Sequence, residues 1–264
     1  MKMQLTAIAA AVALAVSFSA SADPRDWTND TTSYSPSAAT FGAQEGIRSG
    51  MDGYSQHSDS TVQYSKIDQS GAGANALVNQ YDGPQYSLIE QSGADDQATV
   101  EQRSGNLNGQ NESIIKQHSY NDGNTATVKQ IGYRNDSYID QLGDNNTATV
   151  NQINNTQLSD SIIHQRGENN EATINQTNNT DETWSFVGQY GDNNIAVVSQ
   201  NMADLSSSYI YQDSNSLSVG HYAEVTQTGQ TNLSVIRQVG NTPGHAVHNQ
   251  SGMPGNNTAI SNQW

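Results

Sequence analysis

The chain contains no cysteine, so no disulfide framework holds it together. Basic residues are scarce: 10 Lys and Arg stand against 26 Asp and Glu, for a formal net charge of −16. With no basic stripe anywhere, that balance disfavours a nucleic-acid partner. It reads instead as charge that keeps a weakly apolar chain soluble before assembly. Hydrophobic residues make up 33% and aromatic residues 7%, with three Phe in all. That is too little for an ordinary globular core in 264 residues, and composition alone would suggest disorder. Helix periodicity is absent, and after residue 22 no run is apolar enough to cross a bilayer.

The start of the chain is different. Lys2 supplies a positive charge, Leu5 to Phe18 an apolar stretch, and Ala20-Ser21-Ala22 a small-residue cleavage site before Asp23. Residues 1–22 therefore read as a secretory signal peptide, whose loss makes the mature chain one unit more negative. Residues 23–60 read as a disordered leader, polar and dotted with Trp27, Tyr34, Phe41 and Tyr54.

What the chain has in abundance is one pattern, Ser-x-[Ile/Val]-x-Gln. Its serines are Ser65, Ser87, Ser113, Ser137, Ser161, Ser185, Ser208 and Ser234; its glutamines are Gln69, Gln91, Gln117, Gln141, Gln165, Gln189, Gln212 and Gln238. Successive glutamines lie 22, 26, 24, 24, 24, 23 and 26 residues apart. A second pattern, Ala-x-[Val/Ile]-x-Gln, alternates with the first. It ends at Gln80, Gln102, Gln130, Gln152, Gln176, Gln200 and Gln227, with Ala148, Ala172 and Ala196 in its most regular copies. Ala246/His248/Gln250 is a degraded copy, and Ala259/Ser261/Gln263 is a further half-unit before Trp264. Gly follows the first Gln by two residues at Gly71, Gly93, Gly143, Gly167, Gly191 and Gly240, and Asn precedes the Ala by two at Asn124, Asn146, Asn170 and Asn194. Both residue types tolerate positive φ in tight turns.

Alternation within each five-residue motif argues for strands, and a period near 24 argues for stacked rungs. The expected fold is all-β: residues 61–264 form a β-solenoid of about eight and a half two-strand rungs, a cross-β stack. Ser, Ile and Gln of the first strand would face Asn, Ala, Val and Gln of the second across a thin interior. Each Gln amide would then donate to the carbonyl of its counterpart one rung away, roughly 4.8 Å along the stack. The residues three before the first Gln (Leu88, Ile114, Tyr138, Ile162, Phe186, Tyr209 and Val235) should face solvent, yet they are apolar. Such a stripe reads as an interface, with another fibril or with the leader, the alternative being plain β-propensity in an exposed strand. A stable solenoid caps its last rung. Here the last half-unit runs into Trp264, leaving an edge that can template a second chain.

The unit Gln141-Leu-Gly143-Asp-Asn-Asn146-Thr-Ala148-Thr-Val-Asn-Gln152, with its counterparts from Gln165 to Gln176 and Gln189 to Gln200, resembles the curlin repeat of curli, the functional amyloid of bacterial biofilms. The resemblance covers residues 61–264 and implies a secreted, extracellular, pilus-like cell-surface fibre that supports adhesion. Its implied partners are further copies of itself, a nucleator subunit and an outer-membrane secretion pore, with the leader as the secretion address. The repeats resemble the major subunit more than the more basic nucleator. One departure is that the family's Ser six residues before the first Gln occurs here only at Ser159 and Ser206.

Other chemistry is thin. Thr-x-Thr pairs at 125–127 and 147–149 could suit an ice-binding face, and a monomeric solenoid adhesin or ice-binding module is the alternative function. The six His show no ligand spacing beyond His245/His248, expected in a turn and a strand, and the adjacent Asp95 and Asp96 lack a convergent acidic groove. The expectation is a non-enzyme without metal or cofactor.

Overall fold

The computed structural model describes residues 63–104, 111–178, 180–181, 183–214, 219–252 and 257–264. The signal peptide and leader expected at 1–22 and 23–60 lie outside the described residues.

Every described regular element is a strand, and the strands alternate between two parallel sheets. The first sheet holds β1 (Gln63–Gln69), β3 (Gln85–Gln91), β5 (Asn111–His118), β7 (Asp136–Leu142), β9 (Asp160–Arg166), β11 (Trp184–Gly191), β13 (Ser207–Ser214), β15 (Leu233–Gly240) and β17 (Thr258–Gln263). The second holds β2 (Asn75–Tyr81), β4 (Gln97–Ser104), β6 (Thr125–Tyr133), β8 (Thr147–Gln157), β10 (Glu171–Thr177), β12 (Ile195–Asn201), β14 (Tyr222–Gly229) and β16 (His245–Gly252). Within each sheet, strands stack in chain order. This is the expected β-solenoid, with two strands to a turn.

Register follows the motif. Ser87 pairs with Ser113, Ser113 with Ser137, and the same holds through Ser234. A one-residue slip would turn every Ile outward, so burial of one face locks the pairing. Inside, Ile89, Ile115, Ile139, Ile163, Val187, Ile210 and Ile236 of the first sheet meet the Ala and Val columns of the second in one continuous core. Each of these seven side chains is fully buried, contributing roughly 2–3 kcal/mol. The core is one Ile and one Val thick at each rung, which is why so little hydrophobic sequence suffices. The ends are bare: all of β1 is exposed, as is Ile260 of β17.

Four expectations are corrected. The apolar column from Leu88 to Val235 points away from the second sheet as alternation requires, yet its side chains are 0–8% exposed and form a second cluster with Tyr86 and Trp184. The positive φ of the first turn falls on Asp95, Asn145, Asn169 and Asn193, one residue before the expected column of Asn. Gly143, Gly167, Gly191 and Gly240 have positive φ, but Gly71 and Gly93 do not. At Gly71 an added Cβ would lie 1.5 Å from the Gly93 carbonyl oxygen, so close stacking of turns, not dihedral freedom, requires glycine there. Finally, Ala259, Ser261 and Gln263, which carry the second-strand pattern, lie in the first sheet opposite Ser234, Ile236 and Gln238. Strands alternate between sheets in chain order, and that order overrides the motif.

Candidate functional site

The chemistry of this molecule is distributed along its axis. The first Gln column runs unbroken from Gln69 to Gln263: Nε2 of Gln69, Gln91, Gln117, Gln141, Gln165, Gln189, Gln212 and Gln238 each donates to Oε1 of the next, at 2.7–3.0 Å. The second column does the same from Gln80 through Gln102, Gln130, Gln152, Gln176, Gln200 and Gln227 to Gln250, at 2.8–3.0 Å. All these bonds point the same way, toward the higher-numbered rung.

The other amide hydrogen has a fixed use. Gln141, Gln165, Gln189 and Gln212 donate it across the interior to the backbone carbonyls of Thr125, Thr147, Glu171 and Ile195. In the second column, Gln102, Gln130 and Gln152 donate it to the carbonyls of Asn111, Asn135 and Ser159. Both hydrogens of a buried amide are thus satisfied, one laterally and one axially. Such chains of aligned amides polarise one another.

The turns carry ladders of their own. Asn146, Asn170 and Asn194 each donate N–H and Nδ2–H to Oδ1 of the preceding Asn, and Asn146 and Asn170 also reach the carbonyls of Gly167 and Gly191. The column opens on Asp96, whose carboxylate accepts from Gly93 N–H and from Asn124. Asp96 is therefore the head of a structural ladder, while its neighbour Asp95 occupies the turn at φ 55°. The two acids have separate roles.

The Ser column is less uniform. Ser161 and Ser185 donate to Gln176 and Gln200 across the interior, and Ser234 bonds His248 Nδ1 at 2.8 Å. The hydroxyls of Ser87, Ser113, Ser137 and Ser208 are buried without a partner. The degraded copy at His248 is a compensated substitution. Its other ring nitrogen bonds Ser261 at 2.7 Å, so a polar Ser–His–Ser bridge replaces the Ile–Val contact of other rungs. Burial lowers the His248 pKa, keeping the ring neutral.

Of one further column, sequence reading picked out only Ser159 and Ser206. At the second turn Gln85, Asn111, Asn135, Ser159, Thr183, Ser206 and Asn232 are all buried, two residues ahead of the Ser column. Asn135 N–H donates to Asn111, Thr183 to Ser159, Asn232 N–H to Ser206 and Asn257 to Asn232. This is the position where the curlin repeat has Ser. Four polar residue types fill it here, so no single letter announced it. Among the described residues, no group of three or more His, Cys, Asp or Glu side chains could hold a metal ion, and no helix is long and apolar enough to cross a membrane.

The family model of the curlin associated repeat matches residues 122–153. That window begins in the turn that carries Asn124, takes in β6 and β7, and ends within β8 just after Gln152. No curated protein matches the chain.

Proposed function

We propose that this chain is the structural subunit of a curli-like extracellular amyloid fibre of the biofilm matrix, of the major-subunit type, growing by templated stacking of rungs. The carrying observation is the single direction of both Gln ladders. On the low-numbered end, Gln69 and Gln80 offer Oε1 acceptors to the next rung. On the high-numbered end, Gln263 spends one amide hydrogen laterally on the His245 carbonyl and has the other to offer axially, and Gln250 Nε2 sits between the Leu233 and Asn257 carbonyls, the lateral arrangement that Gln102 keeps while donating along its column. A second copy placed low end on high end would extend both ladders with the bonds already repeated inside the chain. An incoming disordered chain can fold onto that edge, since backbone and side-chain ladders are both presented.

By the same reading, residues 1–22 direct secretion, a pore passes the chain unfolded, and a nucleator supplies the first edge. A similarity to curlin repeats supports these steps. The columns from Ser65 to Gln263, with their turn Gly and Asn, act in structure and assembly rather than catalysis.

The test is seeded growth of residues 23–264 from denaturant, followed by amyloid-dye fluorescence and electron microscopy. The expected result is a lag abolished by seed, ending in fibres. Replacing Gln238 and Gln250 should slow seeded growth more than replacing Gln141 and Gln152. A soluble β-rich monomer that never forms fibres would overturn this reading and favour a monomeric binding module.

A further inference from the structure

The two sheets are unequal. Among the described residues the first holds nine strands and the second eight. β1 and β2 make a complete rung at the low-numbered end, but β17 stands at the high-numbered end with no strand beyond β16 to face it. Both edges are open, since all of β1 is exposed and the outward-facing Ile260 of β17 is half exposed. A second copy stacked in the same rotational setting would put β1 on β17. Its β2 would then lie one strand too far from β16, across a slot roughly 4.8 Å wide, and the edge N–H and C=O groups of both strands would face that slot unpaired.

Half a turn about the stack axis closes the slot. Gln80, at the end of β2, reaches the carbonyl of Tyr64 at the start of β1, so facing strands run in opposite directions. The rotation therefore lays β1 on β16 and β2 on β17 with every strand still parallel to its neighbour. Alternation between the sheets then continues from one copy into the next.

The side chains favour this setting. With Gln on Gln, as inside the chain, Ala76 falls on Ala259 and Gln80 on Gln263. Ala meets Ala at this register in every pair of the second sheet. The second-strand pattern of β17, out of place in its own sheet, thus matches the strand that would follow it. Leu77 and Ile260, 53% and 50% exposed at opposite ends of the chain, become neighbours. In the unrotated setting Ile260 receives Lys66 instead. On the other sheet Gln69 falls on Gln250 and Tyr64 on His245. The Tyr64–Tyr86 ring stack, with centroids 5.4 Å apart, would thereby join the stack of Tyr222 and His245, 4.8 Å apart.

We propose that successive copies in the fibre are related by half a turn about its axis, with β17 seating the next copy's β2 and β16 seating its β1. This rests on the polymerisation reading above and adds the geometry of the junction. Each ladder changes sheets there: the first Gln column passes from Gln263 to Gln80, and the second from Gln250 to Gln69.

The chain has no cysteine, so introduced ones are its only thiols. Two double variants, Leu77→Cys with Ile260→Cys and Lys66→Cys with Ile260→Cys, are grown into fibres by the seeded assay above, oxidised and run on non-reducing gels. All three side chains are exposed and outward, so the interior is left intact. In-register neighbours stand roughly 4.8 Å apart, within disulfide reach, whereas residues on opposite outer faces are more than about 10 Å apart. The expected result is covalent dimers and longer multimers from the first variant, at least about tenfold more than from the second. Fibres crosslinked through the Lys66 pair, equally through both pairs, or through neither would overturn the proposal and leave polymerisation standing. Unaltered fibres give a second reading by electron microscopy. Seventeen strands per copy set a rise of roughly 41 Å and an axial repeat of about 82 Å, against about 43 Å for copies all set alike. A repeat of about 43 Å would overturn the proposal too, and an unaltered chain that forms no fibres would remove the polymerisation reading and the half-turn with it.

Discussion

If the amide ladder holds the rungs together, removing one central Gln should cost more than removing one at the end. Consider Gln165→Ala. In the parent, Gln141 Nε2 donates to Gln165 Oε1 at 2.9 Å, and Gln165 Nε2 donates to Gln189 Oε1 at 2.8 Å. Truncation leaves one hydrogen of Gln141 and the carbonyl of Gln189 buried and unpaired. Each such group costs about 1–3 kcal/mol, so the expected loss is about 2–6 kcal/mol. Gln69→Ala, in the exposed end strand β1, strips a donor from one group only, Gln91 Oε1, and should cost about 1–3 kcal/mol, roughly half as much.

The assay is guanidinium denaturation of the folded chain, comparing midpoints of the two variants with the parent. Gln165→Glu separates hydrogen bonding from volume. An ionised carboxylate can accept from Gln141 but cannot donate to Gln189. Burial raises its pKa, so its stability should return as the pH falls and the acid regains a proton, which then donates to Gln189. Gln165→Ala costing no more than Gln69→Ala, or Gln165→Glu showing no recovery in acid, would refute the ladder as a source of stability and leave the column as filler.

Three further outcomes follow from the geometry. His248→Val alone should destabilise, since it orphans the Ser234 and Ser261 hydroxyls, whereas His248→Val with Ser261→Ile restores an apolar rung; a double-mutant cycle in denaturant should show coupling of about 1–3 kcal/mol. Leu205 is half exposed at φ 52°, a left-handed conformation costing a branched side chain about 1 kcal/mol, so Leu205→Asn should raise the melting temperature and Leu205→Val should lower it. Burial pushes the Glu112 carboxyl up to about 7 from an ordinary value of 4.5. Because the folded pKa is the higher one, stability is greatest in acid and falls as pH rises across that window, by an amount on the order of 3 kcal/mol; Glu112→Gln should flatten that slope in pH-dependent denaturation.

Which parts of this architecture could be read from the sequence depends on whether one residue type was required at a position. The Gln columns were legible because only Gln combines an acceptor and two donors at that reach, so the letter is fixed from Gln69 to Gln263. The inner Ile and Val were legible through alternation with those Gln. The second-turn column was not, because four residue types fill it with different partners: Gln85, Asn111 and Ser159 donate to the carbonyls of Tyr81, Arg103 and Gln157, and Thr183 donates to the Ser159 hydroxyl. Positive φ was placed one residue late because Asn145 and Asn146 are the same letter, one bent for the turn and one aimed along the ladder. The sheet of β17 was obscured by an Ala where its partner strands have Ser, although the alternation of strands already determined it. Burial of the outer column could not be read from the repeats at all. Alternation says which way a side chain points, not what it meets there.

The direction of the ladders also constrains how copies can join. Each buried Gln has two amide hydrogens, and the facing sheet fixes one of them laterally, as Thr147 does for Gln165. The remaining hydrogen must run along the axis, and its partner carbonyl must face the opposite way. Orientation at one rung therefore dictates orientation at the next, through every bond from Gln69 to Gln263. A copy stacked in reverse would set donor against donor at Gln263 and at Gln250, costing about 1–3 kcal/mol in each column. A copy in the same sense completes both. Polarity of growth thus comes from the lateral carbonyls inside each rung, so a change that removes the lateral partner should loosen direction before it loosens stacking.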